Sequence, residues 1–240
     1  RDIGVTGVQT CALPISGMAM AAIAAGKHVL VEKPMATTLE DAERLVAAAE
    51  ASGLYVGVGL ELHVSKQWAA VRAAIARGEL GRLRYANITL FRRPFRPGSG
   101  GWRRPGAQVG SWILEEPIHY IDLLLWYFRE SGLPVEIAAD AVTSRFGAGM
   151  HDAFACRLRF ADGAFAVFTQ CVSGFEHTLS LEIAGERGAL RSWWQASMDR
   201  STTPRFELML RRDGEDEAVV VPIEASGEVF ELEEQLRRLV

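Results

Sequence analysis

The chain reads as an α/β unit followed by an α+β unit, on three observations. A strand, helix, strand succession punctuated by glycines opens the folded region, alternating apolar segments crowd the second half, and the apolar period turns from helical to strand-like beyond Trp126. The first pattern builds a doubly wound parallel sheet, of which only the C-terminal remnant is expected here. The second builds a large, mainly antiparallel open sheet.

In order, Gly17 to Ala25 reads as the tail of a helix closed by Gly26, before a strand at His28 to Val31. Thr37 facing Glu40 and Thr38 facing Asp41 offer capping boxes to a helix whose apolar positions are Leu39, Ala42, Leu45, Val46 and Ala49. Gly53 ends that helix, and Leu54 to Val58 form the next strand. A helix over Gln67 to Arg77 leads into an extended segment from Arg82 to Phe91. Strands are predicted near Ile137 to Phe146, Ala153 to Phe160, Phe165 to Val172, Thr178 to Ala184, Phe206 to Leu210 and Ala218 to Val221. The last segment, Phe230 to Val240, is amphipathic and reads as a helix cut off before any cap.

The first residues stand apart. Val5 to Ile15 is what a widely used short-read sequencing adapter encodes in one frame, so Arg1 to Ile15 is read as a translated artefact and the native N-terminus as missing. The expected divisions are 1–15 adapter, 16–60 remnant of a nucleotide-binding unit, and 61–240 a substrate-binding and oligomerisation unit.

Net charge is −4, which argues against a general nucleic-acid binder, and no apolar run approaches the length that spans a bilayer. Beside Cys11, the chain has Cys156 and Cys171, on strands whose turn, Ala161-Asp162-Gly163, sets a register that does not oppose them. Two buried free thiols fit a reducing compartment. The cytoplasm is therefore expected, though an export signal would have gone with the missing N-terminus.

Two constellations carry chemistry. Lys27 to Pro34 is a short apolar strand ending in Glu32-Lys33-Pro34, and the carboxyl end of a strand in an open α/β sheet is where ligands sit. Proline biases Lys33 toward an extended backbone, aiming the ammonium off the sheet edge. The second runs from Val109 to Trp126, with Ile118, Ile121, Leu124 and Leu125 as an apolar stripe and Pro117 in a first turn. Glu115 and His119, four apart, share a face if the backbone is already helical, giving either a proton-transfer pair or a capped helix with a buried histidine.

The run Gly26 to Ala36 closely resembles the signature of the glucose-fructose oxidoreductase, inositol dehydrogenase and rhizopine-catabolism family, whose members use NAD or NADP on a Rossmann-type domain. Glu115, His119 and Asp122 match its second motif, an acidic residue, three residues, a histidine, two more and an aspartate. The resemblance implies hydride transfer between a nicotinamide and a carbinol carbon of a sugar, cyclitol or related polyol. By it His119 takes the proton, Lys33 holds the substrate hydroxyl, Glu115 stands where aspartate is usual, and Asp122 is a substrate ligand or a structural support. Glu32, Lys33 and Pro34 form a cofactor wall, and a homo-oligomer is expected of the intact parent.

Between the constellations, Arg92 to Arg104 gathers five arginines around a Gly/Pro-rich loop. Such forks suit acidic substrates, and such loops are as often a solvated rim or an oligomer contact. Trp102 and Arg103 are the preferred substrate contacts. His63, where the family often has arginine, lines the site or sits on the surface. His151, Asp152 and His177 read as turn or sheet-rim residues, and no Cys/His spacing supports a metal.

Two other functions compete. A redox-assisted glycoside hydrolase needs a further base, with Glu61, Glu116 or a tyrosine as candidates, and a non-catalytic ligand-binding relative has no use for both Lys33 and His119. The glycine-rich phosphate turn of a Rossmann unit precedes the surviving region, so this polypeptide alone is expected to bind cofactor weakly and to be inactive.

Overall fold

The computed structural model describes residues 15–95, 101, 103, 111–143 and 150–238. Helix α1 (Ile15–Ala24), strand β1 (Val29–Val31), helix α2 (Leu39–Ser52) and strand β2 (Val56–Val58) form the first unit. The two strands run parallel, with Val29 opposite Val56 and Val31 opposite Val58. Ala19 and Ile23 of α1, Val31 of β1 and Leu45 of α2 make a small core of their own. Of the two capping boxes expected, one forms its cap: Thr38 Oγ1 accepts from the Asp41 N–H at 3.2 Å. Gly53 closes α2 at φ 65°, a left-handed conformation that costs a glycine nothing. The boundary placed after Ile15 falls on the first residue of α1, and the rest of that segment lies outside the described residues.

A one-turn 3₁₀ helix (Glu61–Val64) leaves β2 and hands the chain to α3 (Lys66–Ala76), whose N-terminus Ser65 caps by accepting from the Trp68 N–H at 3.4 Å. Strand β3 (Leu83–Phe91) then enters the large sheet. Helices α4 (Trp112–Glu115) and α5 (Pro117–Tyr127) follow, then β4 (Glu136–Thr143), β5 (His151–Arg159), β6 (Phe165–Cys171), β7 (His177–Gly185), β8 (Gly188–Ala196), β9 (Arg205–Arg212), β10 (Val219–Val220) and helix α6 (Glu228–Arg237). The sheet order is β10-β9-β8-β7-β3-β6-β5-β4. Strand β3 is parallel to β6 and antiparallel to β7, and every other pairing is antiparallel.

Alternation places Ala86, Ile88 and Leu90 of β3, Ala166 and Phe168 of β6, and Leu179, Leu181 and Ile183 of β7 on one buried face. Helices α3 and α5 cover that face with Trp68, Val71, Tyr120, Leu123, Leu124 and Tyr127. The stripe expected on α5 is therefore rotated: Ile118, Ile121 and Leu125 are only half-buried, because Tyr120 and Leu123 point at the sheet and the Tyr120 ring stacks on Phe168 at 5.6 Å. The opposite face stays open, with Tyr85, Asn87, Thr89, Val167 and Thr169 half-exposed. Strand β8 is absent from the sequence reading. Its inward positions include Ser192, whose hydroxyl accepts from Gln67 Nε2 at 2.7 Å, so a polar residue interrupts the apolar alternation.

Cys156 faces Phe168 and Cys171 faces Ala153 across the β5–β6 hairpin, and both thiols are free. Cys156 is buried as expected, whereas Cys171 lies on the open face and is half-buried. Among the described residues no helix is long and apolar enough to cross a membrane.

One buried ion pair ties the end of β3 to the α4–α5 junction. Arg92, the residue after β3, is 9% exposed and donates to the Glu116 carboxylate, with Asp199 Oδ2 3.3 Å from its other guanidinium nitrogen. The guanidinium lies over the Phe95 ring at 4.5 Å. Burial alone would lower the Arg92 pKa, but Glu116 and Asp199 outweigh it and raise it. Arg92 is thus an interior residue, not part of a solvated rim. His177, also read as a rim residue, is buried with Nε2 3.7 Å from Glu116 Oε1, because the start of β7 packs beneath the same junction.

Two outcomes follow for stability. Arg92→Met leaves the Glu116 carboxylate buried without its cation and is expected to cost about 3–5 kcal/mol in urea unfolding. A Cβ at Gly185 would stand 2.1 Å from the Leu80 carbonyl oxygen, so Gly185→Ala must part β7 from the α3–β3 turn and is expected to cost about 3 kcal/mol in the same assay.

Candidate active site

Lys33 leaves β1 two residues after its last paired position and is half-buried. Its ammonium donates to the main-chain carbonyl of Glu115, which joins the first unit to the second. That carbonyl is free for a reason written in the sequence. The Pro117 ring disfavours helical backbone at the residue before it, and the chain turns at Glu116 with φ −136° and ψ −45°. The His119 N–H then bonds the Glu116 carbonyl at 3.1 Å, one residue short of the α-helical partner it would have in an unbroken helix. Glu115 is left with an acceptor pointing at Lys33. The Lys33–Pro34 peptide bond is cis.

The same break overturns the expected Glu115–His119 pair. Glu115 is 7% exposed, and its Oε1 accepts from Arg103 Nε at 2.7 Å. His119, 6% exposed, turns elsewhere: its Nδ1 lies 3.5 Å from Oε2 of Glu61, in the 3₁₀ turn after β2. An i,i+4 relation holds only along a continuous helix, and here the two residues belong to different ones. Glu61 entered the sequence reading only as a possible further base. The signal that singles it out was present, since it follows the carboxyl end of β2 as Lys33 follows that of β1.

Burial dominates the electrostatics. It pushes the Glu61 carboxyl up to about 8, with Glu231 and Glu228 of α6 adding to the shift and a backbone hydrogen bond and Lys33 opposing it. Burial likewise holds His119 well below the usual imidazole value, and Lys33 lowers it further. At neutral pH burial thus favours the uncharged form of both partners. Burial also raises Glu228 and Glu231, and Glu228 accepts from Arg200 Nε at 2.8 Å. Behind His119, burial drives the Tyr120 hydroxyl well above its ordinary value, with Glu116 reinforcing the shift.

The remaining predicted residues divide. Arg103 reaches the site through Glu115, and Trp102 lies outside the described residues. His63 Nε2 and Asp122 Oδ2 are 2.5 Å apart, and the His63 ring stacks on Trp126 at 4.2 Å, so these two take each other as partners one helical turn beyond His119. Glu32 is exposed, and Pro34 half-buried. A Cβ at Gly59 would lie 3.1 Å from Glu32 Oε2, so β2 leaves its paired region in close approach to the Glu32 side chain. Among the described residues no group of three His, Cys, Asp or Glu is placed to hold a metal ion.

Residues 16–60 match the profile of the oxidoreductase family with an NAD-binding Rossmann fold, and residues 68–191 match the GFO/IDH/MocA C-terminal domain. The chain is 35% identical over 175 residues to a 1,5-anhydro-D-fructose reductase of Ensifer adhaerens, an alignment covering 71% of this chain and 51% of that protein. It is 30% identical over 172 residues to an inositol 2-dehydrogenase of Rubrobacter xylanophilus, covering 69% and 46%. The chain thus spans about half the length of these curated relatives. In fold it is similar to an inositol dehydrogenase homologue of Azotobacter vinelandii solved with NAD+, at TM-score 0.75 and 23% identity, covering 89% of this chain and 55% of that one. An aldose-aldose oxidoreductase of Caulobacter crescentus is similar at TM-score 0.75 and 19% identity, covering 94% and 65%. With one domain profile matched over residues 16–60 and the other over residues 68–191, the chain belongs to the GFO/IDH/MocA oxidoreductase family.

Proposed function

We propose that this chain serves an NAD-dependent oxidoreductase acting on a secondary alcohol of a sugar, cyclitol or related polyol. The observation that carries the reading is the convergence of Lys33, from the nucleotide-binding unit, with Glu115 and His119, from the unit that follows it. A mobile-proton acceptor beside a fixed ammonium is what removal of hydride from a carbinol requires. The residues present fit the nicotinamide end of the cofactor: Glu32, Lys33 and Pro34 leave the carboxyl end of β1 beside that of β2, where open α/β sheets bind nucleotides.

When bound, NAD would supply the acceptor for the hydride that leaves the carbinol carbon. Lys33, anchored on the Glu115 carbonyl, holds the substrate hydroxyl and stabilises negative charge growing on its oxygen. His119, kept neutral by burial, accepts the hydroxyl proton as the carbonyl forms. Glu115 orients Arg103 toward the substrate, with Trp102 as its neighbour in sequence, and an acidic group on the substrate would suit that guanidinium. His63 and Asp122 act through each other, holding the 3₁₀ turn against α5. We place the protein in the cytoplasm as a homo-oligomer through the open sheet face, with neither nucleic acid nor membrane as partner.

The test is a polyol and sugar panel with NAD and NADP on the full-length gene product. His119→Asn is expected to lower kcat/KM by about a hundred- to ten-thousand-fold. Lys33→Met is expected to lower it by about a hundred- to a thousand-fold. Unchanged turnover in both variants overturns the mechanism, and aglycone release from glycosides without net NADH overturns the dehydrogenase reading.

A further inference from the structure

We propose that Glu61 is the positioning residue of His119, fixing Nδ1 as the N–H side of the ring and leaving Nε2 as the basic nitrogen. The inference rests on the oxidoreductase reading for its catalytic meaning. Its structural part stands alone.

Geometry comes first. His119 is 6% exposed, and its Nδ1 is buried with no hydrogen-bond partner among the described residues, the Glu61 carboxyl lying 3.5 Å away. Glu115, the carboxylate that sequence spacing assigns to this histidine, is engaged by Arg103. Glu61 is itself held. The 3₁₀ turn that carries it is tied to α5 a second time by the His63–Asp122 contact, so Glu61 and His63 meet His119 and Asp122 in register. Two such contacts hold the 3₁₀ turn against α5 and keep the carboxyl within reach of the ring.

A neutral imidazole has one N–H, and which nitrogen carries it is set by the hydrogen bond the other side can make. Once Glu61 is ionised, its carboxylate can only accept, so the proton must sit on Nδ1. Nε2 then has the lone pair. The substrate hydroxyl would give its proton to Nε2 as the carbinol hydrogen leaves with both electrons for the nicotinamide that a bound cofactor would supply, and Glu61 would balance the imidazolium so formed. The groups facing the pair are Lys33 from the end of β1, Glu228 and Glu231 from α6, and Tyr120 on α5. Lys33 favours the carboxylate, while the two glutamates and burial oppose it, which places the ionisation near pH 8. Below that pH Glu61 carries a proton that it can donate to Nδ1, and the ring can then present the wrong tautomer. Oxidation should therefore accelerate as pH rises through about 8.

The chain has five histidines, so the ring nitrogens can be followed by ¹⁵N NMR and the His119 signals assigned with His119→Asn. In the wild type, the His119 signals are expected to inflect near pH 8 and to end in the Nδ1–H form. Glu61→Gln should abolish the inflection, and Glu61→Leu should shift the ring toward Nε2–H. If the Leu variant fails to fold, the Gln variant alone decides. An inflection that survives Glu61→Gln, or an Nε2–H ring throughout in the wild type, overturns the assignment. This readout needs neither cofactor nor substrate. In the full-length gene product, Glu61→Gln should flatten the pH–kcat profile near pH 8 and lower kcat by about ten- to a hundredfold with KM for NAD unchanged, and Glu61→Asp should restore part of it. Positive NMR with no alcohol oxidation by the wild type rejects only the oxidoreductase reading. Turnover whose pH limb persists in Glu61→Gln rejects only the present inference.

Discussion

The site depends on a missing hydrogen. Because Pro117 has no N–H for the Ile113 carbonyl and its ring bars helical backbone at Glu116, α4 does not run on into α5, and the turn at Glu116 sends Glu115 and His119 in different directions. Everything around the site uses that divergence. The freed Glu115 carbonyl takes Lys33, the Glu115 side chain takes Arg103, the Glu116 side chain is drawn inward to Arg92, and His119 faces the turn that carries Glu61. A continuous helix would put Glu115 and His119 on one face and give Lys33 no backbone acceptor.

Two buried carboxyls show how partner chemistry decides charge. Glu116 meets a guanidinium in contact, and Arg92 is held more basic by it. Glu61 has no cation in contact among the described residues, only Lys33 at longer range and two further glutamates, so burial wins and its proton is retained to about pH 8. One carboxyl thus holds the framework as an ion. The other holds its proton up to about pH 8.

The sequence made much of this legible, unevenly. Gly26, Gly53 and Thr38 mark the strand and helix limits of the first unit by local backbone demands that no tertiary contact overrides. The antiparallel strands announce themselves by alternation, except β8, where the buried Ser192 is satisfied by Gln67 from a distant helix. No local pattern encodes that partnership. At the site, Lys33 and His119 could be named from strand-end position and motif. Their connection could not, since it runs through a carbonyl oxygen that has no side-chain letter. Arg92 and His177 were illegible as interior residues for a related reason: an arginine next to a Gly/Pro-rich loop and a histidine at a strand start both read as surface, and only the packing of β3 and β7 beneath the α4–α5 junction buries them.

Lys33 grips the backbone of residue 115 and not its side chain. Any amino acid at that position offers the same carbonyl, so the carboxyl beside Arg103 can be lengthened, shortened or removed without letting go of the lysine. The scaffold thereby separates two tasks that meet at one residue. Its main chain fastens the Lys33 ammonium, and its side chain is free to change its partner. Residue 115 can exchange one side chain for another while the ammonium stays anchored.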